Sequence, residues 1–561
     1  MSIGTRTRTA AIAFALAASG TFVSLGTGAL ATSAGAASSS GGSNTTLVQT
    51  APATKDLAAA TWWIWYRPIA SVDPVKYNDY PEDLIIPNMC ESLFKELPGQ
   101  KTVGNLAASY TQPNPLTLVL NLRKNVKFWD GTPMTSADVV YSLKRNFVTA
   151  NASIYAYTTA FQNIKTITAT GPDTVTITFK TPNVTFVPEL ASLGGAVVEQ
   201  AATEKSGANF GTPQGKLECT GPFELSAWNG SSSLVVTKNP NYWNTADAAK
   251  IKKLTFVWPQ DPGQIASAFE AGTFAGGFDL QPSDYLPLGK SSAGKFYVGP
   301  PSQSMEIQAM IVVGTKGAIA NEDVRQALSL SINRDLLIKT VDFGVGTPAY
   351  TFAGGGYFSY DKGTYTAAYN KIAAAYTNQA KAHATALKLV KAAGAVAKLP
   401  IVLSVIGGDP DAANQAAVVQ QSAAAVGLNV KLKVVTAAEY GALFSDPASR
   451  KGIDLVQTLN YDQDPDPLAL YDDIALPNAI SNFDSYDNPA IVKLLTQANG
   501  ETDLAKRAAL VVQAQALIMK YLPWIPLTFN PGTTFVANGV CGVTLDFSQM
   551  MGPWAASVGG C

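Results

Sequence analysis

Charge is what this sequence has least of. Asp, Glu, Lys and Arg make up 14% of its 561 residues, against roughly 25% in an average soluble protein, so its polar surface must come largely from Ser, Thr, Asn, Gln and Gly. A formal net charge of -1 argues against electrostatic capture of nucleic acid or anionic lipid. His383 is the only histidine, and HExxH, G-x-S-x-G and EF-hand patterns are all absent. His383 lies in an alanine-rich helical stretch with Leu387 and Val390 on its stripe, where a partly exposed structural histidine is expected. Gly289-Lys290-Ser291 imitates the end of a P-loop, but Asp284 stands where its first Gly is required. No metal site and no cofactor is expected. Beyond the N-terminal region no run has the length and apolarity of a membrane-spanning helix.

What is present begins with a targeting pattern. Arg6 and Arg8 precede the short apolar core Ala10–Ala18, and both Ala29-Leu30-Ala31 and Ala34-Gly35-Ala36 fit an A-x-A cleavage site. Residues 1–36 are therefore expected to be a signal peptide and 37–51 a flexible leader, leaving an exported, soluble chain. Cys90, Cys219, Cys541 and Cys561 are the only cysteines. In an exported chain that even number suggests two disulfides, with three possible connectivities. A metal site is the alternative, although no pair has C-x-x-C spacing. Cys541–Cys561 would staple the C-terminal tail, and Cys90–Cys219 would join distant parts of one lobe.

At 561 residues two or three domains are expected. Leu116, Leu118, Leu120 and Leu122 alternate as in a half-buried strand. Asp130-Gly131 makes a turn, and Thr135 with Asp138 forms a capping box that opens a helix carrying Val139, Val140, Leu143 and Phe147. Thr61–Ile69 reads as an aromatic strand and Pro87–Leu97 as containing a helix. Cys219–Trp243 reads as two strands joined at Asn229-Gly230. Helices are expected at Pro262–Ala271, Val324–Ile332, Ile372–Ala393 and Lys506–Tyr521, with Tyr350–Tyr369 as loop. Strands Leu399–Val405, Leu428–Val435 and Ile453–Leu459 alternate with helices, which predicts a mainly parallel sheet.

Asn121–Phe147, NLRKNVKFWDGTPMTSADVVYSLKRNF, resembles a signature segment of the family 5 extracellular solute-binding proteins, the dipeptide and oligopeptide-binding components of ABC importers. Further blocks resemble the same family in order: CTGPFELSAWNG from Cys219, Phe278-Asp279-Leu280, VRQALSLSINRDLL from Val324, and Pro523-Trp524-Ile525-Pro526-Leu527. The resemblance implies an α/β fold of the periplasmic-binding-protein type (type II, three-domain variant), with two lobes joined by a hinge and an extra α+β domain. Lobe I is then 52–97, 206–301 and 528–561, domain II is 98–205, and lobe III is 302–527. Chain crossings are expected near Gly299–Ser304 and Pro526–Pro531. The implied function is to bind short peptides in a cleft and deliver them to a membrane permease, as a monomer in the periplasm or at the outer face of the cytoplasmic membrane. The same fold also carries nickel complexes, haem, opines and oligosaccharides, so another solute is the alternative. Many Gram-positive members keep a lipidated Cys after the signal core; no Cys precedes Cys90, and no lipid anchor is expected.

The run Tyr461-Asp462-Gln463-Asp464-Pro465-Asp466-Pro467 follows a strand, at the end of an α/β sheet where ligands bind. Its crowded carboxylates repel one another unless solvated or paired. A solvated Asx/Pro turn would account for the same residues. The family resemblance assigns one Asp of such a segment to a peptide's α-ammonium, with Asp464 first and Asp462 second, beside Tyr461. Trp65, Tyr66 and Arg67, ending the aromatic strand, would project toward the cleft, where Arg67 could meet a carboxylate. Tyr357 is a further cleft candidate. A rival enzymatic reading rests on Ser92-Leu93-Phe94-Lys95, an S-x-x-K like that of penicillin-binding serine acyltransferases. Lys205-Ser206-Gly207 and Ser331-Ile332-Asn333 could supply its other motifs, but they occur in the wrong order.

Overall fold

A computed structural model describes residues 47–561 except 66, 78, 301–303 and 463. The expected signal peptide, most of the leader and Tyr66 lie outside the described residues.

The N-terminal aromatic strand sits at the centre of a seven-stranded sheet. Its order is Gly294–Val298, Thr533–Ala537, Gly276–Phe278, Ala60–Trp63, Lys253–Val257, Ser233–Lys238, Phe223–Trp228. Ala60–Trp63 runs parallel to both of its neighbours. The strand is shorter than the expected Thr61–Ile69, and both of its faces are covered. Trp62 packs on Phe278 and Trp554, and Trp63 packs on Phe269 while donating its indole N–H to Pro259 O at 3.1 Å. A central strand has no solvent face, so alternation here separates two cores rather than core from water. Gly276 has a steric reason: a Cβ there would overlap the Trp62 ring.

A four-stranded antiparallel sheet orders Ala107–Asn114, Thr117–Leu122, Thr174–Phe179 and Ile164–Gly171. Leu118, Leu120 and Leu122 are buried, whereas Leu116 precedes the strand and is exposed. Helix Ser136–Arg145 begins at the Thr135/Asp138 capping box. Val139 and Leu143 face inward, and Phe147 lies past the helix end and is exposed. Arg145 at the far end grips Asp73 with two bonds of 3.0 and 2.6 Å. This sheet and the seven-stranded one share a continuous core.

The expected helix in Pro87–Leu97 is replaced by a 3₁₀ turn, Ile86–Asn88, and a strand, Phe94–Leu97, paired with Lys101–Gly104. Backbone bonds from Leu93 N to Gly195 O and from Gly221 N to Met89 O draw this segment into an extended path, a tertiary override of local spacing. Both disulfides form, Cys90–Cys219 and Cys541–Cys561.

The third sheet has six strands in the order Thr347–Pro348, Trp524–Asn530, Glu306–Val312, Leu455–Asn460, Pro400–Ile406, Asn429–Val435. Only the last three are mutually parallel; Glu306–Val312 is antiparallel to both its neighbours. The sheet is thus mixed rather than mainly parallel, because the strand entering from the first sheet and the strand leaving for it fill its middle. Ile307, Ala309 and Ile311 feed one core and Met310 and Val312 another, as a two-residue period requires of a strand buried on both faces. The expected Ile372–Ala393 helix is two helices, Lys362–Ala373 and Gln379–Ala393, and the first begins inside the stretch read as loop. The chain crosses between the larger sheets after Val298 and again at Pro531–Gly532, since Trp524–Asn530 stays in the six-stranded sheet to its end.

Candidate functional site

Strand Leu455–Asn460 ends at the acidic run, and helix Pro467–Ala475 starts where the run stops. Between them the chain descends a staircase of Asx turns. Asp462 Oδ1 accepts from Asp464 N–H (2.9 Å), Asp464 Oδ1 from Asp466 N–H (3.1 Å), and Asp466 Oδ1 from Leu468 N–H (2.8 Å). The last bond caps the helix, with Pro467 at its first position. Turn chemistry therefore accounts for one oxygen of each carboxylate. Asp466 is further satisfied by the Tyr360 hydroxyl (2.9 Å) and by Arg507 at 3.3 Å. Asp464 is not: it is 2% exposed, and among the described residues nothing donates to its Oδ2. Burial, followed by repulsion from Asp466, Asp462 and Glu189, pushes its carboxyl well above the usual range.

Tyr461 turns away from its own sheet. Its hydroxyl donates to Asp83 Oδ2 at 3.0 Å, in helix Tyr80–Ile85, and its ring packs 5.3 Å from Phe547. Tyr357 is fully buried beneath the run, its hydroxyl accepting from Asp462 N–H and donating to Met305 O, both at 2.8 Å. Trp65 is half-buried and meets Tyr80 edge-on. Arg67 meets carboxylates of its own chain, reaching Asp79 at 2.6 Å and Glu82 at 2.7 Å. The rival motif does not assemble around a shared reactive centre: Ser92 Oγ donates to Ser192 O (2.7 Å), and Lys95 pairs with Asp247 (3.0 Å). His383 is half-buried on helix Gln379–Ala393.

Further acids join the site from outside the run. Glu189 ends the short helix Phe186–Glu189, beside the four-stranded sheet. Its carboxyl is pushed up to about 8, first by burial and then by Asp462. Asp473, on the helix after the run, is raised by burial and then by Asp462 and Glu189. The sequence does hold a signal for Glu189: it is the only charged residue between Lys180 and Glu199. Its approach to Asp462 from another sheet has no local signature. At the crossings, a cavity of about 50 Å³ is lined by Gly299, Ser304, Asn530 and Gly532 together with Asp279 and Glu306. Burial and repulsion from Asp279 raise the Glu306 carboxyl. Such carboxylates, out of water and short of cations, favour protons or a bound positive charge.

Residues 101–482 match the family described as bacterial extracellular solute-binding proteins, family 5 Middle. A glutathione-binding protein of Escherichia coli K12, GsiB, is 27% identical over 464 residues, covering 82% of this chain and 86% of its own. The murein tripeptide binding protein MppA of E. coli superposes with a TM-score of 0.76 at 22% identity, covering 91% of this chain and 99% of that one. The periplasmic binding protein DppA of Helicobacter pylori, in complex with the peptide STSA, gives 0.76 at 20% identity, with coverages of 90% and 98%. Among the described residues no helix is long and apolar enough to cross a membrane.

Proposed function

Because the chain belongs to the family 5 bacterial extracellular solute-binding proteins, we propose that it captures short peptides between its two larger sheets and passes them to the membrane permease of an ABC importer. In this reading it works outside the cytoplasm, as a monomer, and by binding rather than catalysis. Lobe I (52–97, 206–301, 531–561), domain II (98–205) and lobe III (302–530) are the moving and supporting parts, with the second crossing moved past Asn530. The observation that carries the reading is the Asp464 carboxylate, buried in the turn after strand Leu455–Asn460 with one oxygen that no described residue partners. A peptide's α-ammonium supplies the missing donors and the missing charge together. The named ligands of the relatives GsiB, MppA and DppA are peptidic, which supports the same class of solute.

Closure follows from where the contacts lie. Tyr461 comes from the six-stranded sheet, and Asp83 and Phe547 from segments packed with the seven-stranded one. These contacts hold the closed arrangement, and a solute that touches both sides shifts the population toward it. The two crossings are where the backbone turns as the lobes part. Trp65, Tyr66, Arg67 and Tyr357 remain proposed as the surroundings of the solute. In this scheme Arg67 and Tyr357 act by holding Asp79, Glu82 and Asp462 in position.

Calorimetry with Ala-Ala-Ala, its N-acetylated form and Asp464→Asn tests the anchor. A charge-assisted bond of about 1.5–3 kcal/mol corresponds to roughly a 10- to 150-fold change in affinity. Acetylation and the substitution should each weaken binding by that factor. Equal affinities throughout would refute the α-ammonium anchor.

A further inference from the structure

We propose that the cavity at the two chain crossings is a site for a hard divalent cation, calcium by preference, held between the carboxylates of Asp279 and Glu306. The bound ion ties the seven-stranded and six-stranded sheets together where the chain passes between them. The proposal uses neither Asp464 nor any assumption about the solute.

The two acids come from opposite sides of the crossings. Asp279 follows strand Gly276–Phe278 of the seven-stranded sheet, and Glu306 opens strand Glu306–Val312 of the six-stranded one. Both line the same cavity of about 50 Å³, and both are more than nine-tenths buried, at 8% and 6% exposure. Asn530 is the cross-strand partner of Glu306, so the two side chains share a face, and Asn530 lines the cavity too. Gly532 leaves room beside Asp279: a Cβ placed on it would stand 3.5 Å from Asp279 Oδ1. Asp279 accepts from the Tyr80 hydroxyl and the Thr533 N–H. Glu306 has less. Ser304 Oγ serves its backbone, accepting from Glu306 N (3.1 Å) and donating to Glu306 O (3.0 Å), and among the described residues nothing donates to its carboxylate. Glu96, Asp284 and Asp342 also bury oxygens that no described residue partners, but none of the three lines this cavity. What sets Asp279 and Glu306 apart is a shared space with room for an occupant.

A space of about 50 Å³ takes a small ion with a few waters and excludes a peptide. Two desolvated carboxylates facing one space repel each other unless their charge is cancelled. A proton or a monovalent ion cancels half of it, and a divalent ion cancels all of it. Among the described residues no third His, Cys, Asp or Glu joins the pair in a metal-binding group, so a cage of the zinc type is not built. The remaining donors are neutral oxygens, from the Asn530 and Gln100 amides and from water. Calcium accepts such a mixed, irregular shell, whereas magnesium demands near-ideal octahedral geometry and dehydrates reluctantly.

The test is calorimetry and thermal unfolding of the chelator-treated protein at pH 8, with calcium chloride, magnesium chloride and sodium chloride at matched ionic strength. The wild type should bind one calcium with a Kd of roughly 10⁻⁴–10⁻³ M, the range of extracellular calcium modules, and its Tm should rise on binding. Magnesium should bind about tenfold more weakly or worse; equal binding overturns the choice of calcium. Glu306→Gln should weaken calcium about tenfold or more and leave the Tm of the calcium-free protein no lower, which damaged folding would not do. Gly532→Ala keeps both carboxylates, needs no left-handed backbone and narrows the space beside Asp279, so it should weaken calcium as well. Should E306Q fold poorly, G532A is read in its place. No calcium binding by the wild type, or the same Tm rise with sodium chloride, overturns the cation site and leaves a cavity that holds water or a shared proton. Calcium affinity unchanged in the variants places the ion elsewhere and overturns it too. With no peptide present, none of these results bears on the peptide reading.

Discussion

Lowering the pH should close the ligand-free protein, and Glu189 sets a measurable part of the effect. Its carboxyl has an ordinary value of 4.5 and is pushed up to about 8 here, by burial first and Asp462 second. Parting the lobes returns it to water. Between those two values the closed form therefore holds a proton that the open form releases. Closure is favoured most below pH 4.5 and is lost as pH rises toward 8. Each pH unit in that window is worth up to about 1.4 kcal/mol, or roughly tenfold in the ratio of closed to open. From pH 7 to pH 5 the ceiling is roughly a hundredfold; because Glu189 keeps some water contact, about tenfold is the discounted expectation. Asp462, Asp464, Asp473 and Tyr155 also face this group, so the informative quantity is the difference made by Glu189→Gln. The amide cannot titrate, and any cost of burying it does not vary with pH. Small-angle scattering at pH 5, 6, 7 and 8 should show the wild type becoming more compact as pH falls, with a weaker trend in E189Q. Superimposable profiles for the two proteins, or expansion on acidification, would refute the reasoning.

Two stability predictions follow from the same structure. Arg507→Met leaves the buried Asp466 carboxylate without its cation and should cost about 3–5 kcal/mol in denaturant titration; a loss below roughly 1 kcal/mol would mean that Tyr360 and the Leu468 N–H already suffice. Serine replacement of both cysteines at Cys90–Cys219, 129 residues apart, should cost about 5 kcal/mol by loop entropy. The same change at Cys541–Cys561, 20 apart, should cost about 3 kcal/mol, and the reverse order would sink the chain-entropy account.

Much of this could be read in advance where the determining interactions are local. The Thr135/Asp138 capping box and the acidic turn after a sheet strand each declare themselves within a few residues. Of the three connectivities left open, the four cysteines adopt the one that staples the C-terminal tail. Reading failed where distant chain decides. Leu93 and Phe94 look helical in isolation, but Gly195 and Leu190 pull them into extended hydrogen bonding. Trp62 and Trp63 alternate as though one side faced solvent, yet segments near residues 269 and 554 cover both. Within the site, the run at 462–466 was legible because turn residues cluster there. Glu189 was missed because its meaning arises only when a different sheet brings it opposite Asp462.

The position of Thr533–Ala537 has a consequence for the order of events during synthesis. That strand lies between Gly276–Phe278 and Gly294–Val298, and it is the sole sheet neighbour of the latter. A ribosome delivers it more than two hundred residues after either neighbour. Until then the half-built sheet has an open edge and Gly294–Val298 has no partner, so its completion waits on a contact spanning more than two hundred residues of sequence. Such non-local closure is slow. In the proposed function the chain works outside the cytoplasm; were it to cross the membrane unfolded, that delay would be an advantage, because the sheet cannot close until Thr533–Ala537 has followed its neighbours across.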